Sequence, residues 1–461
     1  MHSAIVLLIV VGIAVAGYML GRSRATSMAD GGNYRYLHSL PGYHGAYVAL
    51  MVFLPAAMLM ALWLVLSPQV VQWMLESRLS DQMQGMTEAR QSLLLSDVRN
   101  LAFGDIVSRT PDPALQQAAD FFRGATQTSS FIMALAVVAL AVAGLFYSRA
   151  RLTKSFRARN TVERIIDVIM IVASCVAILT TLGIVLSLLF ETIRFFGKVP
   201  VTEFLFGLKW SPQTALRADQ VGSSGAFGAV PIFVGTFLIT LIAMAVAVPV
   251  GLFSAIYMSE YASKRFRSFA KPALEVLAGI PTVVYGFFAA LTVAPFIRDF
   301  GQSIGLDVAS ESALAAGGVM GIMIIPFVSS LSDDVINSVP QTLRDGAYAL
   351  GATKAESIKQ VVFPAALPGI VGAVLLAISR AVGETMIVVM AAGLAANLTL
   401  NPLEAVTTAT VQIVTLLTGD QEFDSAKTLS AFALGLVLFI ITLILNVVAL
   451  GVVRKYREKY D

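Results

Sequence analysis

Asp345 to Pro364, DGAYALGATKAESIKQVVFP, lies between two long apolar runs and decides how the chain is read. Apolar or small residues recur at Ala347, Leu350, Gly351, Ala355, Ile358 and Val362, a three-to-four spacing that predicts one face of a helix. Asp345, Lys354, Glu356 and Lys359 keep the rest polar, so this segment is not expected to cross a membrane. Gly346 and Gly351 suit close approach of a second backbone, at some cost in helix stability. Two roles fit: a helix that docks in a partner's groove, or a loop helix packed on its own protein. Periodicity does not separate them.

Composition bounds the class. Of 461 residues, 57% are hydrophobic and 13% charged, and mean hydropathy is +0.79. A soluble chain carries about 25% charged residues. The chain is therefore read as an all-α, polytopic membrane protein. A span needs roughly 20 mostly apolar residues, and nine candidates lie near 4–20, 45–66, 130–148, 166–190, 231–256, 274–297, 312–331, 368–393 and 429–453. Alternating from a cytoplasmic C-terminus puts 20 basic residues in the inner segments and 11 in the outer ones. That bias predicts the N-terminus outside and the C-terminus inside. It also accounts for the net charge of +3 without a nucleic-acid partner.

The first apolar run lacks a basic leader, and Arg22 and Arg24 follow it, which predicts a retained anchor. Cys175 is the sole cysteine and falls in a span, so no intrachain disulfide forms. His2, His38 and His44 make no metal-ligand cluster with nearby carboxylates or thiols. No G-x-x-x-x-G-K-[ST] sequence occurs, so the chain is not expected to hydrolyse ATP and no cofactor is assigned to it.

The basic stretch SRARLTKSFRARNTVER (148–164) divides the chain. Residues 1–150 form an N-terminal extension with three spans and an outside loop, 67–129. Residues 70–98 of that loop read as one helix, and Pro111 and Pro113 separate it from a second stretch at 114–123. A shielding helical hairpin and a small sensor or docking domain are both open. Residues 151–461 hold six spans and a cytoplasmic loop, 332–367. In the outside segment 191–230, Trp210 is expected to anchor at the membrane interface or to pack on a binding partner.

The eighth span contains Ser379-Arg380-Ala381-Val382-Gly383-Glu384-Thr385-Met386. An Arg near the bilayer centre costs about 2.5–3.5 kcal/mol on insertion scales, so Arg380 should face the bundle interior or an aqueous path. Glu384, four residues on, is expected on the same helical face. The two are a structural ion pair or a charged element of a translocation path. Arg before Glu is the weaker order for helix support. A guanidinium also offers a planar fork of donors to phosphate or sulfate oxygens. Both points favour the path, with Glu384 holding Arg380 between passages.

Residues 345–364 resemble the EAA loop of ABC-importer permeases, E-A-A-x3-G-x9-I-x-L-P, with Asp for Glu, Gly for Ala, Val for Ile and Phe for Leu. Arg380 to Met386 is similar to the R-A-[VL]-G-E-T-M run of the PstC-type permeases of phosphate-specific transport. Leu277 to Gly286, Ala349 to Lys354 and Phe363 to Ile370 agree with that type, and Phe206 to Pro212 does so more loosely. The resemblance spans about 160–455. It implies that six spans form an importer core and that Asp345, Gly346, Ala347, Leu350, Gly351, Ala352, Lys354, Phe363 and Pro364 couple to an ATPase. Arg380, Glu384 and Thr385 would then line the substrate path.

The implied partners are a PstA-like permease, a PstB-like ATPase dimer that holds ATP and Mg, a PstS-like phosphate-binding protein and membrane lipid. The implied location is the bacterial inner membrane. A permease for molybdate or sulfate, an ATPase-independent channel, and a scaffold or sensor subunit are the alternatives. The EAA-like spacing and the single intramembrane charge pair argue against the channel.

Overall fold

A computed structural model describes residues 3–29, 37–83, 86–104, 112–212, 225–418 and 424–456. Among them, nine helices are long and apolar enough to cross a membrane, as many as the sequence predicts; the sixth (Thr282–Ser303) starts after the predicted 274, and the eighth (Lys354–Val382) starts before the predicted 368 and stops short of 393. The chain forms two compact units, Met1–Ile178 and Leu179–Asp461. Their division falls inside a helix, Ala158–Phe196, and not in the basic loop at 148–164. The helix's first turns carry Ala158 and Val162, which are buried and belong with the first unit; Phe195, near its end, belongs with the second.

The first unit begins with α1 (Ser3–Met28), α2 (Pro41–Met83), α3 (Glu88–Phe103), α4 (Pro113–Arg151) and the start of α5 (Ala158–Phe196). Gly17 and Gly21 of α1 and Gly144 of α4 face α2 so closely that an added Cβ would meet it within about 3 Å. The 67–129 segment is not a separate domain. α2 runs on from its span to Met83 and α4 starts at Pro113, so the hairpin is built from extensions of two spanning helices. The helix expected over 70–98 ends at Met83 and restarts at Glu88, after Thr87. The stretch at 114–123 is the opening of α4, where the Asp112 carboxylate accepts from the Leu115 N–H at 2.7 Å. Leu75, Leu79, Val98, Ala102, Leu115 and Ala119 form the hairpin's own core.

The second unit continues through α6 (Val201–Phe206), β1 (Trp210–Ser211), β2 (Ala226–Phe227) and α7 (Val230–Ile256), which ends in a π-helical turn at Tyr257–Tyr261. β1 and β2 pair antiparallel with Trp210 opposite Phe227. Trp210 donates through Nε1 to Gln412 Oε1 at 2.9 Å and sits edge-on to Phe227. Its polar edge is therefore satisfied inside the unit, against the expectation of an interfacial anchor.

Then come α8 (Lys264–Ala278), α9 (Thr282–Phe288), α10 (Ala294–Ser303), α11 (Ala313–Asn337), α12 (Gln341–Ala349) and α13 (Lys354–Ser357). A π-helical turn at Ile358–Val362 leads into α14 (Phe363–Val382), followed by α15 (Met386–Ala391), α16 (Ala409–Leu417) and α17 (Ala426–Tyr456). α7 and α11 are the centre of the unit. Ala243, Ala247 and Ala255 of α7 are wholly buried. Gly317 and Gly321 of α11 bring its backbone so near α7 that a Cβ would lie 3.0 Å from Ile239 O and 2.8 Å from Ala243 O, respectively. Such small-residue packing lets helices associate where lipid removes the hydrophobic drive between them.

Gly321→Val should cost about 1–3 kcal/mol by overpacking the contact, read as a lower unfolding temperature in detergent. Gly318→Val, where an added Cβ meets nothing within 4 Å, is the control and should unfold close to the parent.

Candidate functional site

The Asp345–Pro364 segment is a helix–turn–helix and not the single helix that its periodicity predicts. α12 stops at Ala349, and Gly351 takes φ 85°, the left-handed conformation that favours glycine. Gly351 N–H donates to Tyr348 O at 3.0 Å, and Ala352 N–H to Ala347 O at 3.1 Å. These two bonds are the 5→2 and 6→1 pattern of a Schellman cap. An added Cβ at Gly351 or Gly346 meets nothing within 4 Å, so close backbone approach within this chain does not explain either glycine.

Thr353 then caps α13 through a capping box. The Glu356 carboxylate accepts from Thr353 N–H at 2.8 Å and from its hydroxyl at 2.7 Å, and Glu356 N–H donates back to Thr353 Oγ1 at 3.4 Å. These bonds from the Thr353 hydroxyl and N–H hold the Glu356 carboxyl below the usual range. The cap is therefore complete at neutral pH and is lost as pH falls.

The turn splits the predicted face. Ala347, Ile358 and Val362 point inward, whereas Ala355 is exposed and Leu350 stands 91% exposed at the tip. Asp345, Gly346, Gly351 and Lys354 are also exposed, and Ala352 is half-buried. Phe363 packs on the cluster around Ala255, Ile336 and Val362, and Pro364 opens α14, so neither belongs to the tip. The surface available to a partner is the turn itself, with Leu350 at its apex.

Arg380 lies in the last turn of α14, not in mid-helix. Gly383 ends that helix, and Glu384 and Thr385 sit in the break before α15. The break removes the expected Arg380–Glu384 pairing. Glu384 Oε1 instead accepts from Met386 N–H at 3.2 Å, and the Arg380 guanidinium stands 5.6 Å from the centre of the Phe327 ring. Among the described residues no ion pair reaches Arg380. The α14 carbonyl terminus favours a cation there, and the aromatic face adds to that. Thr385 bonds only locally, donating to Gly383 O at 3.4 Å, and the Glu384 carbonyl accepts from Thr410 at 2.8 Å.

Arg380 faces a cavity of about 280 Å³. Its other polar lining is Lys271 and Glu275 from α8 and Ser329, Ser330 and Asp333 from α11. The Ser329 hydroxyl is buried with no hydrogen-bond partner among the described residues. Asp333 is 1% exposed at one edge of this cavity. Its carboxylate accepts from Arg267 at 2.9 Å, Lys271 at 3.1 Å and Asn337 Nδ2 at 2.9 Å. That hydrogen bond and charge raise the Lys271 ammonium above the usual lysine range, so it stays charged at neutral pH.

Sequence reasoning missed this cluster. Its members lie on two elements 62 to 66 residues apart, and a D-D pair near a helix end carries no spacing signal.

Comparison with known proteins follows the same division of the chain. Residues 6–180 match a family described as a phosphate ATP-binding cassette transporter. Residues 247–458 match the inner membrane component of binding-protein-dependent transport systems. The N-terminal extension, which the sequence motifs left without a relative, is therefore covered by a family of its own. The probable ABC transporter permease protein YqgH of Bacillus subtilis is 34% identical over 59% of this chain and 85% of its own length. The phosphate transport system permease protein PstC 1 of Mycobacterium tuberculosis is 34% identical over 55% of this chain and 81% of its own. PstC of Mesorhizobium japonicum is 32% identical over 60% and 86%.

Asp333→Asn leaves two cations without their buried counter-charge and should destabilise by about 3 kcal/mol, the lower end for a broken buried pair, because both cations are a third exposed. Lys271→Gln should cost less, since Arg267 still neutralises Asp333. Thermal unfolding of the two variants in detergent measures the contrast.

Proposed function

The chain belongs to the PstC-type permeases of phosphate ABC transport, and on that premise we propose that its second unit forms half of the translocation path of an ATP-driven phosphate importer. One observation carries the residue assignment: a cation without a counter-charge, Arg380, stands at a break in a spanning helix and faces a cavity. Interrupted helices are where transporters place their substrate sites. The guanidinium fork supplies donors to a tetrahedral oxyanion, and the unpartnered Ser329 hydroxyl is a further donor on the same cavity. Because Glu384 is turned to its own backbone, it holds no ion pair that an arriving anion must break.

The turn at 350–353 docks on a separate ATPase subunit, with Leu350 as its apolar contact. ATP and Mg reside on that subunit, and this chain hydrolyses nothing. A second permease of the PstA type completes the path and a PstS-like binding protein delivers phosphate from outside. The N-terminus faces outward and the C-terminus faces the cytoplasm, a reading supported by the excess of basic residues in the segments it places inside.

Vesicles holding the complete complex should take up radiolabelled phosphate only with ATP. Arg380→Gln should assemble normally and lose uptake by about tenfold or more, the worth of one charge-assisted contact. Uptake of sulfate or molybdate but not phosphate would overturn the substrate, and unchanged uptake in Arg380→Gln would remove that residue from the path. Leu350→Asp and Gly351→Val should both insert in the membrane yet fail to co-purify the ATPase. The first puts a charge on the docking face, and the second places a branched residue at a positive φ, which costs about 1–2 kcal/mol.

A further inference from the structure

Arg344 precedes the docking motif by one residue, and its side chain runs inward while Asp345 and Gly346 face out. Nε and Nη2 donate to the same Glu260 oxygen at 3.1 and 2.9 Å. Nη1 donates to the carbonyl of Val339 at 2.6 Å and Nη2 to that of Ile336 at 2.9 Å. The two charged side chains are only 9% and 8% exposed. Glu260 lies in the π-helical turn that ends α7, Ile336 lies in the last turn of α11, and Val339 follows that helix's cap. One guanidinium thus bonds the docking element to the ends of both central helices, beside the apolar packing of Leu343 and Phe363 on Ala255 and Ile336.

Stability is a poor reason for this arrangement. A buried ion pair replaced by well-packed apolar residues is often neutral or stabilising. What arginine adds is geometry, because its rigid fork sets distance and angle to several acceptors at once. The apolar packing of the rest of α12 is limited, with Leu343 half-buried on the cluster around Ile336. Arg344 and Ala347 are its buried residues, and a cavity of about 470 Å³ bordered by Ser259, Gln341 and Tyr348 adjoins it. Packing alone therefore leaves α12 room to tilt.

Downstream the chain of contacts is short. Asn337, next to Ile336, donates to both the carbonyl and the carboxylate of Asp333, at 2.6 and 2.9 Å. Asp333 borders the cavity that Arg380 faces.

We propose that Arg344, with Glu260, is a positioning strut that carries displacement of the 350–353 turn to α7 and α11, and so to the wall of the Arg380 cavity. The proposal rests on the reading that this turn docks on an ATPase. The strut touches neither substrate nor nucleotide. Its signature is the ratio of transported phosphate to hydrolysed ATP, which a residue that merely stabilises the fold leaves alone.

The test uses the complete complex in vesicles, with ATP hydrolysis and phosphate uptake measured together for Arg344→Gln, Arg344→Lys, Glu260→Gln and the double variant. Arg344→Gln should retain the ATPase and hydrolyse ATP, while phosphate moved per ATP falls by about tenfold, within the usual range of coupling between sites. Arg344→Lys should recover part of the ratio, because an ammonium still reaches Glu260. The double variant should be no worse than Arg344→Gln, since the two residues act as one unit. Wild-type stoichiometry in Arg344→Gln, additive losses in the double variant, or loss of the ATPase from Arg344→Gln would each overturn the strut.

If the parent complex shows no ATP-coupled uptake at all, the functional reading falls and the strut is judged by hydrogen exchange. ATPase binding should then slow exchange across 330–340 in the parent and leave it unchanged in Arg344→Gln. An equal response in both would overturn the strut as well.

Discussion

Everything in the second unit depends on how closely α7 and α11 can approach. Gly317 and Gly321 press the backbone of one helix on the other, against Ala243 and the branched side chains of Ile242 and Val246. In a bilayer this is the available source of cohesion, since lipid is as apolar as the helices and only close dispersion contact distinguishes protein from solvent. A pair packed this tightly does not deform continuously. It shifts as a body or not at all, which is the property a transporter needs at the centre of its moving half.

The charges are arranged around that pair by one rule. Where a charged side chain is buried it is matched, as Asp333 is by Arg267 and Lys271 and as Glu260 is by Arg344. Where it is unmatched it faces open space, as Arg380 does. An unmatched cation beside a cavity is the kind of group the proposed function assigns to an incoming anion, whereas a matched one is committed to holding elements together. The same residue type therefore serves two purposes, and the counter-charge decides which.

Much of this was legible in the sequence, because membranes make length and polarity nearly sufficient. The nine spans, the polar loop between two of them and the lone arginine in an apolar run each follow from a linear count. What was not legible is where a helix stops. Periodicity carried one helix through Leu350 and Gly351, yet the left-handed glycine and the Thr353 cap make a turn there, which turns Leu350 outward. Periodicity likewise carried a helix through Gly383 and so joined Arg380 to Glu384, which the structure separates. Gly351 was read as a packing residue and Gly383 was given no role, whereas each ends an element. The pairing of Asp333 with α8 is a different kind of omission, since only the fold brings those residues together.

That both glycines fall at the two places proposed for docking and for the substrate has a physical reason. A docking surface needs a convex tip, and a substrate site in a membrane needs backbone and charge released from a helix. An uninterrupted helix provides neither: its side chains lie along a cylinder and its carbonyls are spent on its own hydrogen bonds. Breaks are tolerable only where protein or water satisfies the freed groups. Here the Schellman bonds and the capping box do so at 350–353, while Thr410 and the Met386 amide do so around Glu384. Arg344 stands just before the first break and Arg380 just before the second, one tied and one free. On the proposed reading, that difference separates transmitting a displacement from receiving an ion.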